Sequence, residues 1–272
     1  MSPAGHRLGA VAGAALSALL CAAPGGAQPT PRVPPDMRAI RAGTYVPFYR
    51  LAAQPTVTVR AFLLDARPVT NAAFLDFVRA HAGWQRARTR RLFADGGYLS
   101  HWESDLSLGP RAAPDQPVTR VSWFAARAFC RARGRRLPTE AEWEYVARAS
   151  EVAPDAPRDP ATIARIMAWY GRPGGGALAS VGAARPDYWG LHDLHGLIWE
   201  WVEDFNSALV VTDSRDNTGP GAARFCGAAS LGARDTDEYP TFMRYAFRQS
   251  LRGSYTVGNL GFRCAADAAP GG

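Results

Sequence analysis

The chain has 272 residues, 47% of them apolar, with 8 Trp and 12 Phe, which is enough for one large domain or two small ones. Its 27 Gly and 21 Pro favour turns and loops over long regular elements. The formal charge is +7 and every basic residue is Arg; no apolar run of about 18 residues follows the N-terminus, which excludes a membrane-spanning helix in the mature chain.

In chain order, residues 1–27 read as a secretory signal. His6 and Arg7 form a polar start, Leu8 to Ala23 is apolar and small, and Gly25-Gly26-Ala27 fits a cleavage site before Gln28. A lipoprotein site at Cys21 is disfavoured, because Leu20 stands where a small residue is needed. Export to the periplasm is the expectation. A Pro-rich linker, 28–36, precedes a domain expected over 37–268. Gly43 to Val46 and Val57 to Phe62 alternate as strands. Thr70 or Asn71 caps a helix with Phe74, Phe77 and Val78 on one face. Gln85 to Pro117 lacks periodicity. Ser122 caps a second helix, with Trp123, Ala126 and Cys130 near one stripe, ended by Gly134. Thr139 to Glu142 is a capping box for a third helix, from which Trp143 and Val146 point inward. Pro154 to Ala184 reads as loop, and Phe242 to Arg248 as a strand pairing core aromatics with exposed Arg; the competing reading of that stretch is a groove whose Arg fixes a carboxylate or peptide carbonyl.

Arg86, Arg88, Arg90 and Arg91 form one basic cluster, and Arg131, Arg133, Arg135 and Arg136 another. In an exported protein these read as a solvated face with some Arg paired to carboxylates, and nucleic acid is not expected as a partner. With Cys21 removed, Cys130, Cys226 and Cys264 remain; an odd count in an oxidising compartment implies one disulfide and one leftover thiol.

Arg135 to Tyr145, Trp199-Glu200-Trp201 and Gly261-Phe262-Arg263-Cys264, in this order, resemble the formylglycine-generating enzyme (sulfatase-modifying factor) family. Pro68 to Asn71 and Gly190 to Val202 add to the match, which runs from about Met37 to Ala266. The resemblance implies a single α+β domain, a C-type-lectin-like variant with few regular elements and long loops. It implies a protein or peptide substrate or partner. It also implies a Cys130–Cys264 disulfide, worth roughly 3–5 kcal/mol in the chain-entropy account; the alternative is two buried free thiols.

Calcium is implied at Asp193, Gly196, Ile198 and Glu200, because hard cations take oxygen ligands at this density. The plain alternative has Asp193 capping a turn and Glu200 paired with an Arg. The family's other calcium site does not transfer, since Arg165 stands where an Asn ligand is expected.

The family's oxidation of a substrate cysteine to formylglycine uses two copper-binding thiolates after a Gly-Gly-Ser turn. Here Gly227 to Ser230 corresponds to that turn, and Leu231 to Asp237 contains no cysteine. Cys226, just before the turn, is the candidate catalytic thiol or copper ligand, with His192, His195, His101 and Met243 as available donors. Its bland reading is a small buried hydrophobe, that of His101 a surface pair with Trp102, and that of Arg263 a structural one. The functional expectation is an exported metal-dependent oxidoreductase acting on a protein or thiol substrate. The alternative is a non-catalytic binding or maturation module for another exported protein.

Overall fold

The computed structural model describes residues Met1, 33–48, 55–172, 176–206 and 239–268. Short strands open the fold: β1 (Met37–Ile40), β2 (Gly43–Tyr45), β3 (Val57–Val59) and β4 (Phe62–Asp65). β1 and β4 pair antiparallel with Ile40 opposite Phe62, both buried, and β2 pairs with β3. The chain's last strand, β7 (Ala265–Asp267), adds to the other edge of β4, so the sheet order is β1-β4-β7. The end of the described chain is thereby sewn to its beginning.

Three helices start where capping chemistry places them. In α1 (Asn71–Ala80) the Thr70 hydroxyl accepts the Ala73 N–H, and Phe74, Phe77 and Val78 are buried. In α2 (Trp123–Ala132) Ser122 accepts from Ala125. Gly134 follows it with φ +66°, a conformation that suits a residue without Cβ. In α3 (Glu140–Ala147) Thr139 and Glu142 satisfy each other's backbone N–H groups, a complete capping box.

Two expectations fail here. The stretch expected as loop contains α4 (Pro160–Tyr170), capped by Asp159 with Pro160 in its first turn. The stretch expected as a strand is α5 (Tyr239–Gln249). Its buried residues, Pro240, Arg244, Tyr245 and Arg248, recur at helical spacing, and two of them are the Arg residues expected in solvent.

The core is aromatic. Phe74 lies 5.6 Å from Phe129, 6.1 Å from Phe262 and 6.2 Å from Trp102. Each such ring contributes roughly 1.5–3 kcal/mol by leaving water. Trp201 is fully buried and donates its indole N–H to the Val121 carbonyl at 2.9 Å. β5 (Trp199–Glu200) runs parallel to β6 (Leu260–Gly261), which brings the Trp-Glu-Trp segment beside the closing block. Gly261 allows that approach: a Cβ there would collide with the Val118 carbonyl and with Ile198.

The closing block is fixed on both sides of residue 263. Cys264 forms the disulfide with Cys130 of α2 that the resemblance implied, at a sequence separation of 134. The Arg263 side chain is fully buried and forms a bidentate pair with Glu200, Nε donating to Oε2 and Nη2 to Oε1, each at 2.8 Å. Its remaining nitrogen reaches the Asp65 carbonyl at 3.1 Å, and Nη2 also donates to the His192 carbonyl at 2.9 Å. Arg263 is structural, as expected. Two of the four Arg of the second cluster are paired: Arg135 holds Asp36 and Asp65, and Arg136 holds Glu142 and Asp267. Among the described residues no helix is long and apolar enough to cross a membrane.

Candidate functional site

The site is assembled where α3, α5 and the 194–200 segment meet. α3 presents Trp143 and Glu144 inward together, a consequence of the register set by its cap. Glu144 is buried and accepts hydrogen bonds from Arg244 (2.8 Å) and Arg248 (2.6 Å), one turn apart on α5. Arg248 also lies 3.6 Å from Glu140, so two carboxylates face two guanidiniums. Burial alone would raise the Glu144 pKa; the two Arg charges and their hydrogen bonds overcome it and hold the carboxyl down at about 2. The guanidinium carbon of Arg248 stands 4.6 Å from the Trp143 ring centroid, adding a cation–π contact.

A narrow cleft of about 10 Å³, room for roughly one water, lies beside this network. Trp143, Trp169, Trp199 and Phe247 form its aromatic walls, and His195 and Glu200 contribute polar atoms. Trp199 stacks on Phe247 at 4.5 Å and on Tyr170 at 5.2 Å, which ties α4 and α5 to the Trp-Glu-Trp segment. The His195 Nε2 lies 3.0 Å from the Ala147 carbonyl, so the ring is neutral with its proton on Nε2. Its Nδ1 is buried and has no partner among the described residues. Burial, with the Arg244 charge adding to it, pushes the pKa of this ring down to about 3. The cleft thus offers flat aromatic walls, a lone pair held free of protons, and guanidiniums already committed to carboxylates.

The calcium set lies next to this cleft. The Asp193 carboxylate accepts the backbone N–H groups of Gly182 and, at 3.4 Å, Ala184, one on each oxygen. Asp193 (φ +58°) and Gly196 (φ +102°) both turn left-handed. Glu200 is saturated by Arg263 and by the Trp143 indole N–H at 2.9 Å. Among the described residues nothing donates to the carbonyls of Gly196 or Ile198. The donor chemistry therefore fits a hard cation at Asp193, Gly196 and Ile198, with one lone pair left on each Asp193 oxygen. The bonds actually made are those of the plain alternative at both carboxylates, a turn cap at Asp193 and an Arg pair at Glu200.

Cys226 and the turn beside it, Gly227 to Ser230, lie outside the described residues. Among the described residues no group of three or more His, Cys, Asp or Glu is placed to hold a metal. His192 is bound to the Ala184 carbonyl at 2.9 Å and His195 to Ala147. His101 is not half of a surface pair: its neighbour Trp102 is part of the core and its own ring nitrogens are buried. Sequence reading missed Glu144 and Trp169, and placed Arg248 in solvent. The helical spacing of Arg244 and Arg248 was the available signal, obscured by the aromatic alternation around them.

The sequence profile of the Sulfatase-modifying factor enzyme 1-like domain matches residues 25–268. The chain is 34% identical over 258 residues to formylglycine-generating enzyme of Streptomyces coelicolor, covering 78% of this chain and 80% of that one. It is 31% identical over 254 residues to inactive C-alpha-formylglycine-generating enzyme 2 of Bos taurus, covering 78% and 79%. It is also 34% identical over 165 residues to hercynine oxygenase of Mycolicibacterium thermoresistibile, covering 54% of this chain and 36% of that one.

Glu144 gives a testable pH signature. Its folded pKa lies below its ordinary value of 4.5, so the stability it contributes is complete above pH 4.5 and disappears as pH falls through about 2. Glu144→Gln should cost about 3–5 kcal/mol near neutrality, because it strands two buried guanidiniums. Urea unfolding of both proteins across a pH series should show their difference constant above pH 4.5 and shrinking towards pH 2. A pH-independent difference would mean that the pair is not ionised in the fold.

Proposed function

The chain belongs to the sulfatase-modifying factor enzyme family, that of formylglycine-generating enzyme, and from that membership we propose that it is an exported, periplasmic oxidoreductase acting on a thiol or protein cysteine, with Cys226 as its reacting group. The observation that carries this reading is a cysteine beside the turn where the family does its chemistry, in a chain whose other two mature cysteines are consumed by a disulfide. The relatives named formylglycine-generating enzyme and hercynine oxygenase support oxidative chemistry as the class. Copper, when bound, would supply activation of O₂ through a soft thiolate ligand; Cys226 is the residue of this chain that suits it.

A second reading has its own support. Leu231 to Asp237 carries no cysteine where the family's thiolate pair belongs, and one close relative is named inactive. On that reading the same scaffold is a non-catalytic binding or maturation module for another exported protein.

Oxygen uptake separates the two. The mature protein, supplied with Cu(I) and cysteine-containing peptides, should consume O₂ in proportion to thiol lost, and Cys226→Ser should abolish the consumption. Equal rates in both proteins, or none in either, would discard the oxidoreductase reading and favour the module.

Calcium belongs to the proposal as a structural ion at Asp193, Gly196 and Ile198, with Glu200 behind it. The free carbonyls and the spare lone pairs of Asp193 support it. Chelation should lower the melting temperature of the wild type, and Asp193→Ala should remove that response. An unchanged melting temperature on chelation would remove calcium from the account.

A further inference from the structure

We propose that the Cys130–Cys264 bridge is reached by thiol–disulfide exchange through Cys226, and that this chain is a client of a disulfide-isomerising dithiol in the compartment to which it is exported. The proposal rests on the export reading given above. The mature chain carries its cysteines in the order Cys130, Cys226, Cys264, and the native bridge joins the outer two, at a sequence separation of 134. Cys226 falls between them, about 100 residues from Cys130 and about 40 from Cys264, and chain closure favours the shorter loops. Closure falls with roughly the three-halves power of loop length, so an unfolded chain forms Cys226–Cys264 roughly six times as often as the native bridge, and only about one first bridge in ten is native. Passage across a membrane from the N-terminus adds to this bias, because Cys130 and Cys226 meet an oxidant before Cys264 arrives.

What aligns Cys264 with Cys130 is the finished tertiary structure. The Cys264 N–H donates to the Asp65 carboxylate at 2.8 Å, and the Asp65 N–H to the Cys264 carbonyl at 2.8 Å. Arg136 and Ala265 exchange both backbone hydrogen bonds, at 2.8 and 2.7 Å, and the Arg135 N–H reaches the Cys130 carbonyl at 2.9 Å. The Phe129 and Phe262 rings meet at 5.3 Å beside the bridge. Apart from the Arg135 bond, these contacts join residues far apart in sequence, so they are absent from the chain that forms its first bridge. Both cysteines are without solvent exposure in the core. A bridge from either one to a third cysteine requires that core to open, so docking of the closing block selects the native pair. The same burial seals the product, because an attacking thiolate needs access to a sulfur. Exchange therefore belongs to the stage before the closing block docks.

The first bridge forms when two thiols give two electrons and two protons to a disulfide oxidant of the compartment. In the exchange the Cys130 thiolate attacks the Cys264 sulfur of a Cys226–Cys264 bridge. The Cys130–Cys264 bond forms, the bond to Cys226 breaks, and Cys226 leaves as a thiolate that takes up a proton. From a Cys130–Cys226 bridge, the Cys264 thiolate attacks Cys130 with the same leaving group. Neither exchange changes the number of bridges. An ordinary cysteine thiol is mostly protonated at neutral pH, and uncatalysed rearrangement takes minutes to hours. A dithiol of lower pKa supplies the thiolate by way of a mixed disulfide, which is the chemistry that identifies the partner. The end product carries Cys226 as a free thiol, the state that the oxidoreductase reading requires.

The test is refolding of the reduced, mature protein in a glutathione redox buffer at neutral pH, with samples alkylated at intervals and mapped as peptides without reduction. Bridges to Cys226 are expected in roughly nine of ten single-bridge chains at the earliest times. They should then convert to Cys130–Cys264 with the number of bridges per chain unchanged. A dithiol disulfide isomerase, added after the first bridge has formed, should speed that conversion by about tenfold or more. Cys226→Ser, with Cys226→Ala beside it, should show the Cys130–Cys264 bridge alone from the first sample and no response to the late isomerase. Three results would overturn the proposal. One is native pairing in most wild-type chains at the first sample, which means that folding precedes oxidation. The others are bridges to Cys226 that persist in the folded protein, and a conversion that the isomerase does not speed. Export fails by a different result, the absence of the bridge from protein isolated from its native host, and the refolding outcome does not depend on it.

Discussion

The Arg263–Glu200 pair is the constraint on which the rest of this structure depends. Both side chains have no solvent exposure, and the guanidinium spans four pieces of chain: the Trp-Glu-Trp strand, the β4 end at Asp65, the loop at His192, and its own closing segment. A domain with so little regular structure has few long ladders to align its loops. A planar, always-charged fork can align several at once, because each N–H has a fixed direction. The neighbouring Cys264 adds a covalent tie to α2, so the closing block fixes the middle of the chain as well as its start.

The cleft follows from that arrangement. Once Glu200 is fixed by Arg263, it receives the Trp143 indole N–H and so sets the position of α3. α3 then places Glu144, which draws in Arg244 and Arg248 and with them α5. Trp199 and Phe247 meet at the end of this relay as the stacked wall of the cleft. Buried ion pairs of this kind add little net stability over an apolar core of the same shape, but breaking one partner is severe. Their contribution here is to orientation: two elements without mutual backbone bonding, α3 and α5, are held in one geometry.

Local chemistry was legible in the sequence, and tertiary pairing was not. The caps at Thr70, Ser122 and Thr139 could be read because a side-chain oxygen and a backbone N–H three residues on are sequence neighbours. The disulfide came from family resemblance, since three cysteines alone leave the pairing open. α4 was hidden by its Gly-, Pro- and Ala-rich surroundings, although Asp159-Pro160 is a start signal and Thr162 and Ile166 lie on its buried face. α5 was misread because Tyr245 and Phe247 lie two apart between Arg244 and Arg248, which suggests a strand with aromatics on one face and Arg in solvent. Only a partner distant in sequence, Glu144, explains why those Arg residues are inside.

The central claim is that Arg263 and Glu200 act as one unit that aligns the closing block with the Trp-Glu-Trp strand. A double-mutant cycle in urea with Arg263→Met and Glu200→Met tests it most directly. The account predicts that each single substitution costs about 3–5 kcal/mol by stranding a buried charge. It also predicts that the double variant loses less than the sum by at least about 1 kcal/mol, as for residues in one network. Costs that add within about 0.5 kcal/mol would show two independent side chains, and would contradict the account.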